Sequence, residues 1–204
     1  TSNNPHNKRY RSSGLITINQ TQILIDCGPD FRVQALASNL HAIDGLILTH
    51  PHYDHIGGLD DLRGYFVMSN HSMPCLLSKE TAKDIQKRFD YMFESVDKKQ
   101  KLIPKLELHE FPSDKGSVNF LQNKIRYLSY TQRDMQVNGI ICGKLAYISD
   151  IKDFDESIFE ELQDIDTLII SALRFTPSHM HFTVDDAVDF TKKTSAKHAF
   201  LTHI

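Results

Sequence analysis

No apolar run in the 204 residues approaches the roughly 20 needed to cross a bilayer, and no signal peptide is visible. No membrane partner is expected from that pattern. Cysteine is scarce. Cys27, Cys75 and Cys142 are unclustered, odd in number and each set in an apolar run, which excludes a disulfide framework. They read as buried thiols in a reducing cytoplasm. Positive charge has no surplus: 23 Lys and Arg face 26 Asp and Glu, a net charge of −3. A duplex nucleic-acid partner, which needs a basic face, is therefore not expected. Internal repeats and low-complexity tracts are also absent. What remains, 40% hydrophobic and 24% charged, suits a soluble globular chain long enough for a well-filled core. The expectation is one domain over residues 1–204. Because the first residue is not Met and the last follows a candidate ligand, both ends are expected to be trimmed.

One stretch stands out from this plain background: Thr49-His50-Pro51-His52-Tyr53-Asp54-His55-Ile56-Gly57-Gly58, directly after the apolar residues 45–48. In an extended segment residues i and i+2 point to one side, so His50 and His52 are expected to face one point. A turn after Tyr53 then swings Asp54 and His55 to a second point nearby. Imidazole and carboxylate are ligands for borderline divalent metals, and a strand end is a rigid base for them. Gly57 and Gly58 are expected to let the backbone pass close to a ligand.

Around this stretch the pattern gives alternating elements. Residues 7–13 read as a polar, solvated arm. Residues 15–18 and 22–25 form a hairpin across 19–21, Asp26 closes its second strand, and 27–30 turn. A helix is expected over 30–40 with Phe31, Ala35 and Leu36 on one side, then the strand 45–49 and a helix starting at 59–63. After a strand at 75–77, Ser78 caps a helix to about residue 96, with Ile85, Phe89, Met92, Phe93 and Val96 as its buried stripe. The lysines around 98–101 read as a solvated loop. From 102 to 150 the chain is β-rich, with strands at 106–111, 118–121, 125–130, 139–142 and 145–149. A helix at 155–162, a strand at 167–173, a helix opened by the capping box of Thr183 and Asp186, and a strand at 199–202 complete it. Periodicity supports an α/β or α+β protein and does not separate the two.

The motif His-x-His-x-Asp-His, here His50, His52, Asp54 and His55, resembles the signature of the metallo-β-lactamase superfamily. The resemblance implies an αββα sandwich and a two-metal centre whose further ligands follow later strands: Asp150 after 145–149 and His203 after 199–202. More of the chain is similar to one branch, the PhnP-type phosphodiesterases that open cyclic phosphates. The matching residues are Asn7, Arg9, Arg11-Ser12-Ser13, Ile25-Asp26, Gly28-Pro29-Asp30-Phe31-Arg32, Gln34, Gly58 to Arg63, and Ser171-Ala172-Leu173-Arg174.

That resemblance implies a metal-dependent hydrolase acting on cyclic or small phosphodiesters, with one or two divalent ions (Zn or Mn, or Fe) activating water. It places His50 and His52 on the first metal, Asp54, His55 and His203 on the second, and Asp150 between them. Asp54 and Asp150 thereby join His181, the implied general acid, as catalytic residues. His179 competes with His181 for that role. Asp26 is implied to orient a ligating imidazole, and Arg63, Arg174 and His179 are candidates for phosphate contact. One departure stands out: counting back seven residues from Gly139, where the family carries a ligand histidine, gives Gln132. Its amide oxygen is a weaker donor, which leaves the first site weak and tilts the choice toward Mn. Two alternatives stay open, a metal-binding protein with impaired catalysis and a hydrolase of another ester or of RNA. Homodimerisation also stays open.

Overall fold

The computed structural model describes residues 3–4, 7–69, 71–93 and 105–204. It divides into two compact units, Thr1–Glu110 and Phe111–Ile204.

In the first unit the β-branched opening forms β1 (Gly14–Ile18) and β2 (Thr21–Ile25) as an antiparallel hairpin. Asn19 and Gln20 both take positive φ, 48° and 70°, the twist that a two-residue hairpin loop requires. Thr21 is thus the first strand residue rather than part of the connection. Beyond β2, the strands β3 (Gly45–Ile47), β4 (Met73–Leu77) and β5 (Leu106–Glu110) add in parallel, in the order β1-β2-β3-β4-β5. β3 is buried at all three residues, as a central parallel strand should be. Leu24, Leu46, Leu48, Cys75 and Leu77 pack with Phe31, Ile56, Leu59, Leu62 and Ile85 into one core.

The helices are shorter than the pattern implied. α1 covers Phe31–Ala37 and buries Phe31 and Ala35 with Leu40 packed against them, but Leu36 is 67% exposed. One residue past Ala35 is a 100° turn away from the core, so Leu36 cannot share that face. α2 is Tyr53–Ile56, and the segment expected as a helix from 59 is a 3₁₀ turn, Leu59–Leu62, leading into α3 (Arg63–Ser69). α4 runs Lys79–Arg88 with the Ser78 side chain accepting from the Thr81 N–H. It ends at Phe89 (φ −124°), and a 3₁₀ turn at Asp90–Met92 carries Met92 into the core. Val96, the lysine run and Leu102 lie outside the described residues. The arm is only partly solvated: Ser12 is buried, and the Ser13 hydroxyl donates to the carbonyls of Ile25 and Asp26. The Arg11 N–H and guanidinium bind Asp30, which holds that carboxyl below its ordinary range.

In the second unit β6 (Lys115–Phe120), β7 (Asn123–Gln132), β8 (Met135–Cys142) and β9 (Leu145–Ile148) form an antiparallel meander. β10 (Thr167–Ser171) and β11 (His198–Thr202) then pair in parallel, giving the order β11-β10-β9-β8-β7-β6. The connections carry α5 (Ile158–Glu161), shorter than expected, and α6 (Val184–Lys192). Leu128, Ile148, Leu162, Leu168 and Ile170 are buried with Ala187 and Phe190 of α6. Phe154 meets Phe159, Phe182 and Phe190 edge-on, at ring separations of 5.7, 5.9 and 5.2 Å.

The expected capping box is present: Thr183 Oγ1 accepts from the Asp186 N–H, and Asp186 Oδ2 from the Thr183 N–H. Thr183→Ala is expected to lower stability by about 1 kcal/mol, the usual cost of losing such a cap, as a shift in urea midpoint at constant slope. Both sheets are mixed. Cys27 and Cys75 are buried, and Cys142, half-buried, has its thiol pushed by burial to about 11. All three are free thiols. No helix among the described residues is long and apolar enough to cross a membrane.

Candidate metal centre

In the first unit β3 runs on through Leu48, whose N–H donates to Leu76 O, and delivers Thr49 and His50 fully buried. His52 is still extended (φ −66°, ψ 147°) and stands just before α2. The i, i+2 spacing acts as expected: His50 Nε2 and His52 Nδ1 are 3.0 Å apart. α2 then turns His55 back toward the same place, so that the His50 and His55 rings are 4.2 Å apart. Asp54 Oδ2 lies 3.4 Å from His55 Nε2. Three imidazoles and a carboxylate thus form one cluster on a strand end and a single helical turn.

The support beneath it is Asp26, completely buried just after β2 at φ 59°. Its carboxylate accepts from the Thr49 N–H (2.8 Å), from Thr49 Oγ1 (2.8 Å) and from His55 Nδ1 (2.7 Å). Because Thr49 Oγ1 donates to Asp26, it is left to accept from His50 Nδ1 at 3.0 Å. That network assigns the Nδ1–H tautomer to both His50 and His55, which directs each Nε2 lone pair away from the support. An acid orienting imidazoles in this way is the usual arrangement beneath a metal ligand.

Glycine makes the approach possible. A Cβ on Gly28 would lie 2.1 Å from Asp54 O, and one on Gly58 would lie 2.1 Å from Gly28 O. The Cys27 N–H donates to His55 O and the Gly58 N–H to Cys27 O, fastening the 27–30 turn onto α2. Gly58 therefore lets backbone approach backbone. Two supporting residues escaped the sequence reading. Thr49 is one, although a hydroxyl flanking the motif was a visible signal. Arg88 is the other: at the end of α4 it donates to Pro51 O at 3.1 Å and pairs with Asp84 at 2.8 Å, and nothing local in the sequence marks it.

In the second unit the strand ends hold a matching set. Asp150 follows β9 at φ 51° and His203 follows β11 at φ 61°. Asp150 Oδ2 accepts from the Ser149 hydroxyl at 2.6 Å, and Oδ1 accepts from Gln132 Nε2 at 3.1 Å. His181 Nδ1 and His203 Nε2 stand 3.1 and 3.4 Å from that same Oδ1. The two rings stack with centroids 5.1 Å apart, and one ligand atom each of Asp150, His181 and His203 lies within 4.8 Å of the others. Gln132 is buried at the end of β7, with its Nε2 also 3.1 Å from His181 Nδ1. Its Oε1 is a buried acceptor that no donor among the described residues reaches. A cation would satisfy that atom, and the His and carboxylate donors of both units suit a divalent metal.

Of the two competing histidines, His181 joins this set and His179 is exposed. Arg63 lies 3.1 Å from Asp60 Oδ1, an atom that also accepts from Tyr91 Oη. Burial first and the Asp60 charge second push the Tyr91 phenol up to about 12. Arg174 is exposed and donates to the carbonyls of Thr176 and Pro177 in its own loop. Both guanidinium groups are thus engaged by near neighbours in the chain.

Two mixed sheets with histidine and aspartate gathered at strand ends define a metallo-β-lactamase fold. The chain belongs to that superfamily: the Beta-lactamase superfamily domain matches residues 21–204. Among solved structures it is similar to a diphosphatase of the PhnP family, 30% identical with a TM-score of 0.88, covering 100% of this chain and 76% of that one. The short form of human tRNase Z shares the fold at 19% identity and a TM-score of 0.75, covering 98% and 87% of the two chains. A Porphyromonas gingivalis octanoyltransferase is 31% identical over 201 residues, which is 98% of this chain. The chain spans only 40% of that protein's length.

Proposed function

We propose that this chain is a metal-dependent hydrolase of small phosphodiesters, cyclic ones included, working on one or two divalent ions in a reducing cytoplasm. The observation that carries the reading is the Asp26–Thr49 support, which fixes the tautomers of His50 and His55 as a metal ligand requires. The similarity to a PhnP-family diphosphatase supports phosphoester chemistry. His50, His52, Asp54 and His55 would ligate metal in the first unit, and Asp150 and His203 in the second. Bound there, Zn, Mn or Fe would supply water acidified to a pKa near 7 and offset charge on the phosphoryl oxygens. His181 would hand a proton to the leaving alkoxide, while Asp54 and Asp150 would hold the attacking water in line. The activity of the octanoyltransferase does not transfer, since most of that protein lies outside the match.

The test is a metal count per chain together with turnover of bis(p-nitrophenyl) phosphate and 2′,3′-cyclic nucleotides. Hydrolysis of either supports the reading. Stoichiometric metal with no turnover of any diester would instead favour a metal-binding protein with lost catalysis.

Gln132 gives that second reading its one specific support. Its amide N–H donates to Asp150, at the position where the family's register calls for an imidazole. The wild type is therefore expected to bind one ion tightly and a second weakly. Gln132→His is expected to raise the metal count toward two and to increase diesterase activity. Calorimetric titration of both metal-free proteins with Mn²⁺ and Zn²⁺ decides the matter, and two equally tight sites in the wild type would show that Gln132 is no handicap.

A further inference from the structure

In the first unit the segment 49–55 lies past the end of β3, and side chains take over much of the holding of its backbone. The Thr49 N–H donates to Asp26, and His52 O accepts from the His55 N–H at 3.0 Å. Between these two points stands the buried Pro51, which has no N–H of its own. Its carbonyl accepts from Arg88 Nη1 at 3.1 Å, a contact across 37 residues. Arg88 Nη2 lies 2.8 Å from Asp84 Oδ2, one turn back on α4. The helix is anchored in turn by Thr81, Ala82 and Ile85, all buried, and by the Ser78 cap. One guanidinium thus ties a packed helix to the peptide that leads into His52. The Arg88 and Asp84 side chains are 46% and 29% exposed, so their ion pair adds little to stability. Its use is geometric.

The three imidazoles are not held alike. His50 and His55 are oriented through Nδ1, by Thr49 and Asp26, and turn Nε2 away from that support. His52 instead brings its Nδ1 within 3.0 Å of His50 Nε2. Nδ1 is the ring nitrogen nearer the backbone, so its place follows the preceding peptide more closely than that of Nε2 would. The Pro51 carbonyl oxygen shares one plane with the His52 N–H and Cα, and holding it limits the swing of the whole peptide. Arg88 holds it.

We propose that Arg88 is a positioning residue for His52. By fixing the Pro51 carbonyl it sets where His52 Nδ1 stands, and Asp84 keeps the guanidinium in place. The inference rests on the metal-dependent reading for the purpose of that placement. It adds to that reading a ligand steered from α4, where the other two imidazoles are steered from the Asp26–Thr49 support.

The experiment combines zinc calorimetry with proton–nitrogen correlation spectra of the imidazoles, which tell a protonated ring nitrogen from a bare or a metal-bound one. In the zinc-loaded wild type His52 is expected to be metal-bound at Nδ1, and His50 and His55 at Nε2. Arg88→Ala should weaken zinc binding by about ten-fold, the low end for losing a group that orients a ligand, with the spectral change confined to His52. Arg88→Lys should recover part of the affinity, because an ammonium can still donate to a carbonyl. Ser78→Ala loosens the same helix at its other end and lowers the urea midpoint, yet should leave zinc affinity and all three rings as they were. Unchanged zinc affinity in Arg88→Ala overturns the proposal. An equal change in all three rings does so too, as does a matching loss in Ser78→Ala, since either would make the contact a matter of fold stability. A wild type that takes no zinc sinks the metal reading instead. The metal-free spectra then judge the clamp alone: selective broadening of the His52 signals in Arg88→Ala upholds it, and identical spectra overturn it.

Discussion

Asp26→Asn is expected to fold with near-normal stability and to lose about 10–100-fold in metal affinity, the usual effect of removing an acid that orients a ligand. The amide oxygen can still accept from the Thr49 N–H, so the strand end stays in place. The amide NH₂, however, would face His55 Nδ1, where the carboxylate now accepts at 2.7 Å. Two donors cannot face each other, so His55 must move its proton to Nε2 and cover the lone pair meant for the cation. Asp26→Ala should behave differently. It strands the Thr49 N–H and the His55 Nδ1–H in a fully buried site, and destabilisation of about 3–5 kcal/mol is expected. Zinc titration beside a urea melt separates the two effects. An Asn variant that binds zinc as tightly as the wild type would show that Asp26 does not set the tautomer.

His181→Ala is expected to lower kcat by about 10²–10⁴-fold, the range for general-acid catalysis, with metal content unchanged. The ring lies against Asp150 and Gln132 and stacks on His203, whereas His179 is exposed. The loss should be largest for alkyl leaving groups and shrink for p-nitrophenolate, which departs without a proton. That pattern would set His181 apart from a residue that merely supports the loop. A comparable loss in His179→Ala, with none in His181→Ala, would exchange the two roles.

The parts of this molecule legible in sequence are those governed by local rules. The i, i+2 spacing of His50 and His52, the hairpin around Asn19 and Gln20, and the capping box of Thr183 and Asp186 all follow from neighbours in the chain. Pairings across long separations were legible only in outline. Asp26 stood out as an acid after a strand, but its bond to Thr49 joins residues 23 apart, and Arg88 reaches Pro51 across 37. Helix ends were misjudged where apolar residues continue past the break. Phe89 and Met92 keep the stripe going in composition while the backbone has already left the α-helix at Arg88. The use of Arg63 by Asp60 was available as an i, i+3 pair.

Asp26, Asp150 and His203 share left-handed backbone at the ends of their strands, with φ of 59°, 51° and 61°. Such positions carry a conformational cost whether or not a cation is bound, while the compensating ligand energy exists only in the loaded protein. On the proposed ligand set, metal supply then governs how long the protein survives as well as how fast it works. A free cation at a hundred times its dissociation constant adds about 2.7 kcal/mol to the folded state, and starvation withdraws it. Cells short of the metal would lose this protein to their proteases, and its abundance would report the size of the available metal pool.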